Sequence, residues 1–133
     1  MKNILVVTSG IVAMILSTAT FAGPREDLLA QYAAAAKTAS FSAARGQALH
    51  TQNFSGGKPD TPSCTTCHGK DTRGAGRALT GKTIEPVAVS VTPTRYTDPA
   101  KVEKWFKRNC TEVLGRECTP QEKGDWLTFV IGQ

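Results

Sequence analysis

Cys64-Thr65-Thr66-Cys67-His68 gathers three ligating or nucleophilic side chains into five residues, in a chain of 133 with four cysteines and two histidines. Cysteines three apart on a helical turn project to one side. Each can form a thioether with one vinyl group of a single haem, and the imidazole that follows then lies under the iron as its proximal ligand. C-x-x-C-H in an exported chain is the attachment signature of c-type haem, so the reading is one covalent haem c held by Cys64, Cys67 and His68. Three other chemistries use parts of the pattern. A thioredoxin-like C-x-x-C wants a preceding strand and a βαβ context, which the sequence lacks. Zinc needs a fourth ligand, for which only His50 or a distant cysteine remains. A structural disulfide does not require His68.

Export is legible at the N-terminus. Lys2 supplies a positive charge, residues 4–16 are apolar, and Thr20 and Ala22 place small side chains where a signal peptidase reads them. The apolar run falls short of the roughly 20 residues of a membrane span. The sequence therefore divides into a signal peptide, 1–22, cleaved after Ala22, and a single haem domain, 23–133, in the periplasm. That compartment is oxidising, so spare thiols pair. The formal net charge of +5, with basic residues scattered rather than run together, suits docking to an acidic protein face and not nucleic acid.

Cleavage changes the iron chemistry. Met1 and Met14 are the only methionines, so residues 23–133 contain none. The methionine that gives electron-carrier cytochromes c their sixth ligand and high potential is thereby excluded. The remaining candidates are His50, a lysine, Asn109, a tyrosine, water or an open position. His50 precedes the motif by about one helical run and reads as a packed side chain on the proximal side. Asn109 shares a helical face with Val102, Trp105 and Phe106, where an amide costs stability unless it finds a partner. Pattern alone leaves it balanced between iron ligand and helix-terminal cap. Cys110 and Cys118 are the two thiols that haem does not use, and they read as a structural disulfide.

The elements that must position these groups read as all-α. Pro24 with Glu26 and Asp27 opens a first helix that Leu28, Leu29 and Tyr32 carry onward. A second begins at Ser40 or Ser42, with Phe41, Ala44, Ala48 and Leu49 at helical spacing. Residues 69–93 carry repeated Gly and Pro and no sustained period, so they form loop that wraps a cofactor. Asp98-Pro99 caps a third helix bearing Asn109, and Thr119-Pro120-Gln121-Glu122 is a capping box for the last. No strand is expected. The frame is a class I cytochrome c-like fold wrapped around one haem, with Gly46 and His50 at the contact between N- and C-terminal helices.

The run Lys58-Pro59-Asp60-Thr61-Pro62-Ser63 before the motif resembles the sphaeroides haem protein family, high-spin monohaem cytochromes c. So do Thr80-Gly81-Lys82, Lys101-Val102-Glu103-Lys104-Trp105, Arg108-Asn109-Cys110, Gly115-Arg116, Cys118-Thr119-Pro120 and Glu122-Lys123. Val89 and Tyr96 depart from the family pattern. A related methylotroph cytochrome c″ carries His where this chain has Asn109. The resemblance implies that Asn109 ligates ferric iron through its side-chain oxygen and leaves on reduction, opening a site for O2, NO or CO. It also implies a Cys110–Cys118 disulfide, and a dihaem cytochrome c and a membrane b-type cytochrome as partners.

Three functions remain compatible with these residues. One is a redox protein that takes electrons from a partner and binds a diatomic ligand when reduced. Another is an enzyme of the same site, reducing O2 or acting as a nitric oxide dioxygenase. The third is a simple electron shuttle. Arg73, Arg77, Lys82 and Arg95 are candidates for the haem propionates or for docking.

Overall fold

In the computed structural model, residues 22–133 are described, so the expected signal peptide lies outside them apart from Ala22. Five helices and one minimal ladder occur among the described residues: α1 (Pro24–Ala36), α2 (Ala43–Thr51), α3 (Thr65–His68), β1 (Gly76–Arg77), β2 (Thr83–Ile84), α4 (Pro99–Leu114) and α5 (Pro120–Ile131). The helix starts follow local chemistry. The Ser42 hydroxyl accepts from the Arg45 N–H, Asp98 accepts from the Lys101 N–H, and Thr119 and Glu122 form the reciprocal capping box. Proline opens α1, α4 and α5, where its missing N–H costs nothing. The class is all-α, as expected.

The strand expectation needs a small correction. Gly76 pairs with Ile84 and Arg77 with Thr83 in an antiparallel ladder. The reversal is closed by the Ala78 N–H donating to Lys82 O (2.8 Å) and the Gly81 N–H donating to Ala78 O (2.8 Å). Gly81 sits at φ 86°, which a side chain would strain.

Leu28, Tyr32, Val102, Phe106, Leu127, Phe129 and Val130 form the core with Cys110, Val113, Leu114, Cys118 and Val87. The largest inter-helix contact joins α2 to α5. Gly46 and His50 are the buried positions of α2, at the helix contact where they are expected, whereas Ala44 and Ala48 are exposed. A Cβ on Gly46 would lie 2.1 Å from Asp125 O, so the close crossing requires a residue with no side chain. The face of α4 also differs. Val102, Phe106, Cys110 and Val113 enter the core, whereas Trp105 remains 43% exposed. Cys110 and Cys118 are bonded, tying the end of α4 to the start of α5.

Asp125, 3% exposed, fastens that crossing. It accepts from the Ser42 N–H (2.7 Å), from Arg45 Nε (2.7 Å) and from Gln121 Nε2 (3.0 Å). Burial opposes its charge, but these donors outweigh it and hold the carboxyl below its ordinary value. A depressed carboxyl pKa stabilises the fold above the unfolded value, about 3.9, and the benefit is lost as pH falls below it. Asp125→Asn should therefore cost about 1–2 kcal/mol at pH 7 and flatten the acid limb of the stability curve. Urea melts between pH 3 and 7 check this, and an unchanged acid limb would discard the assignment.

Candidate functional site

The attachment turn is held from both ends. The His68 N–H donates to Cys64 O (3.0 Å) and the Gly69 N–H to Thr65 O (2.9 Å), closing one helical turn that Gly69 ends at φ 74°. The Ser63 and Thr65 hydroxyls bond at 2.6 Å, bracing its start. The loop leading in is strapped to the far end of α4. The Lys58 N–H donates to Glu112 O (2.8 Å) and the Thr61 hydroxyl to the same carbonyl (3.4 Å). Gly57 lies so close that a Cβ would meet Glu112 O at 2.3 Å. On the other side β1 presses on α3, where a Cβ on Gly76 would meet Cys67 O at 2.2 Å. The three motif residues are thus fixed relative to α4, although they are far apart in sequence.

His50 lies behind the turn. Its ring is fully buried, with its centroid 6.4 Å from that of His68. Trp126 Nε1–H donates to His50 Nδ1 (3.3 Å), so Nε2 carries the proton and donates to Gly69 O (3.0 Å). Burial pushes its pKa down, and the ring is neutral. With both nitrogens committed, His50 is a packing residue that orients α3, as its sequence position suggests.

His68 is different. Its Nδ1 is buried without a hydrogen-bond partner. Burial, and then the positive field of Arg95, push its pKa down to about 4, so it is a neutral imidazole available as a ligand. The Cys64 thiol is pushed up to about 11, by burial and then by Cys67, and its sulfur lies 3.9 Å from Leu49 O. Burial also raises Cys67, and the Glu112 carboxylate raises it further. Thiols shifted this way stay protonated at neutral pH, the reverse of a thioredoxin-type nucleophile.

Trp105, Asn109 and Glu112 are spaced i, i+4 and i+7 on one helix face, and the Glu112 end of that face is tied to the loop leading into the attachment motif by Lys58 Nζ on Glu112 Oε1 (3.1 Å). Asn109 itself is half-buried and forms no side-chain hydrogen bond among the described residues. The Arg108 guanidinium lies 5.4 Å from the centroid of the Trp105 ring. Among the described residues, Trp105, Leu79 (56% exposed) and Val91 (48% exposed) are the large apolar side chains left uncovered.

A haem fits these observations. Two protonated thiols stand one turn apart, and a neutral imidazole has an orphaned nitrogen. Cys64, Cys67 and His68 would hold it, and Asn109 on α4 is the further candidate ligand. Of the four basic candidates, Arg95 comes near enough to influence His68. Its guanidinium donates to Glu85 O and Pro86 O (2.6 Å each), while Arg73, Arg77 and Lys82 are exposed and not gathered with it. Sequence reasoning missed Glu112, whose signal was its i+3 spacing from Asn109, and Trp126, whose hydrogen bond to His50 crosses 76 positions and leaves no local trace.

Comparison with known proteins gives consistent neighbours. Residues 36–130 match the family described as a domain of unknown function, DUF1924. The cytochrome c-type protein SHP of Cereibacter sphaeroides is 51% identical over 126 residues, covering 90% of this chain and 97% of that protein. Cytochrome c″ of Methylophilus methylotrophus is 31% identical over 87 residues, covering 65% and 60% respectively. Among solved structures, oxidised SHP, an oxygen-binding cytochrome c, superposes with a TM-score of 0.80 at 54% identity, covering 82% of this chain and 96% of that one. Oxidised cytochrome c″ from the same methylotroph gives 0.70 at 28% identity, covering 83% and 94%.

Proposed function

This chain belongs to the DUF1924 family and to the family of the c-type cytochrome SHP, and from that membership we propose a periplasmic, high-spin monohaem cytochrome c. It accepts electrons from a redox partner and binds a diatomic ligand, O2 or NO, when reduced. When bound, the haem supplies a one-electron couple and an iron that can take up such a ligand.

Cys64 and Cys67 would anchor the group covalently and His68 would supply a nitrogen to its iron. Asn109 would offer its side-chain oxygen to the ferric iron and would withdraw on reduction. The observation that carries this reading is the placement of Asn109. It stands on the α4 face that also carries Glu112, half-buried and without a side-chain hydrogen bond among the described residues, in a chain whose residues 23–133 contain no methionine. A neutral amide oxygen is a weak, hard ligand, tolerable to Fe(III) and poor for softer Fe(II). It therefore keeps the ferric iron high-spin and is easily lost. The Cys110–Cys118 bond next to Asn109, and the Lys58–Glu112 strap beyond it, keep the α4 backbone in place while the side chain moves.

Electrons come from a dihaem cytochrome c served by a membrane b-type cytochrome. The family resemblance supports these partners. So does the basic exposed side of α4, where Lys101, Lys104, Lys107 and Arg108 all face solvent and suit an acidic docking surface.

Absorption spectra of the purified holoprotein test the proposal. The ferric form should be high-spin, and the ferrous form five-coordinate and shifted at once by carbon monoxide. A six-coordinate low-spin ferrous spectrum that ignores carbon monoxide would reject both ligand release and diatomic binding.

A further inference from the structure

An unbroken series of aromatic rings leads away from the proximal side of the site. His50 follows His68 at 6.4 Å between centroids, Trp126 follows His50 at 6.3 Å, Phe106 follows Trp126 at 5.6 Å, and Tyr32 follows Phe106 at 6.2 Å. The path joins the attachment turn, α5, α4 and α1, so packing within one element does not account for it. At its far end the Tyr32 hydroxyl donates to Glu103 Oε1, while Glu103 Oε2 pairs with Lys123 Nζ at 2.7 Å. Burial opposes the charge of Glu103, but Lys123 and the Tyr32 hydroxyl outweigh it, so the acceptor is an ionised carboxylate. Tyr32 is 6% exposed, whereas the Glu103 side chain is 45% exposed and can exchange protons with water.

We propose that Trp126 and Tyr32 form an outlet for oxidising equivalents, through which an electron leaves Tyr32 for a haem oxidised by peroxide while the phenolic proton passes to Glu103. The inference rests on His68 as the haem ligand and adds an activity to that reading: peroxide-driven one-electron oxidation of external reductants at the Tyr32–Glu103 edge.

The step balances. Hydrogen peroxide takes two electrons and two solvent protons to become two waters. One electron is drawn from the iron and one from Tyr32, by way of Phe106 and Trp126. The O–H bond of Tyr32 breaks, Glu103 gains its proton, and a neutral tyrosyl remains. A reductant of the ascorbate class returns one electron to Tyr32 as Glu103 gives the proton back, and a second electron restores the haem. Tyr96 also touches Trp126, at 5.8 Å, but its hydroxyl donates to Val87 O, which cannot keep a proton. The carboxylate therefore makes Tyr32 the terminus.

The chain has only two tyrosines and two tryptophans, so the radical can be assigned. Ferric holoprotein, first shown by absorption to carry its haem, is mixed with one equivalent of hydrogen peroxide, freeze-quenched and examined by electron paramagnetic resonance. The expected result is a tyrosyl signal that narrows when ring-deuterated tyrosine is incorporated. It should vanish in Tyr32→Phe and persist in Tyr96→Phe, with the ferric spectrum unchanged in both. Glu103→Gln should slow its formation about a hundredfold, the lower end of what a positioned proton acceptor contributes. A haem-loaded wild type that yields no tyrosyl signal, or a signal that survives Tyr32→Phe, would overturn the proposal. A sample without a haem spectrum would instead undo the reading of His68.

Discussion

Gly46→Ala should cost about 3 kcal/mol or more, and Gly46→Val should abolish recovery of folded holoprotein, because the clash is with backbone. A Cβ at position 46 would lie 2.1 Å from Asp125 O, 2.6 Å from Asp125 C and 2.8 Å from Phe129 Cβ. None of these atoms can rotate aside. The only relief is to lift α5 from α2, which removes Trp126 from His50 and loosens the hold of His50 on Gly69 O. The damage therefore reaches the attachment turn, although Gly46 touches no motif residue. With native domains stable by about 5–15 kcal/mol in total, an added methyl takes a large share. Gly124→Ala is the matched control. The atoms nearest a Cβ there belong to the Phe41 ring, at 2.2 Å, and that half-buried side chain can swing outward. Urea melts should rank parent, Gly124→Ala, Gly46→Ala in falling stability. A Gly46→Ala midpoint equal to the parent would show that the crossing is looser than described.

Features set by neighbouring residues were legible before the fold was known. Ser42, Asp98 and Thr119 cap helices because each hydroxyl or carboxylate meets an N–H three positions on. Cys64, Cys67 and His68 are likewise a local pattern, and the methionine count needed only the expected cleavage point. The faces of α2 and α4 were harder to read, for a common reason. Periodicity reports where apolar residues recur, not what covers them. On α2 the cytochrome-like frame placed Gly46 and His50 at the helix contact, but hydropathy alone did not, because one has no side chain and the other is a polar ring satisfied by distant partners, and the apolar alanines 44 and 48 are exposed. On α4 two adjacent apolar stripes blur together. Phe106 and Cys110 face the protein interior, while Trp105 is exposed and Asn109 half-buried. A haem-covered surface is as apolar as a core, so hydropathy cannot separate them. The close approach of Gly56 to Leu114 O and of Gly57 to Glu112 O joins residues far apart in the chain and leaves no local pattern to read.

Asn109→His should turn the ferric protein from high-spin to low-spin, the largest spectroscopic change that any single side chain here is expected to produce. The α4 backbone at this point is fixed on both sides, by the Cys110–Cys118 bond and by the Lys58 N–H on Glu112 O. An imidazole placed there starts from the position Asn109 now holds, and its longer reach is taken up by its rotamer. Imidazole is a far stronger-field donor than an amide oxygen and binds both oxidation states of iron, so reduction no longer expels it. Carbon monoxide must then compete with a tethered ligand. If that ligand is bound nine-tenths of the time, apparent affinity falls about tenfold. Asn109→Ala separates ligand identity from simple disturbance. It should stay high-spin in the ferric state and bind carbon monoxide as readily as the parent, because nothing remains to leave. Absorption and electron paramagnetic resonance of the ferric proteins, with carbon monoxide titration of the ferrous ones, read all three states. Parent-like spectra in Asn109→His would remove Asn109 from the iron and leave it an ordinary amide inside α4.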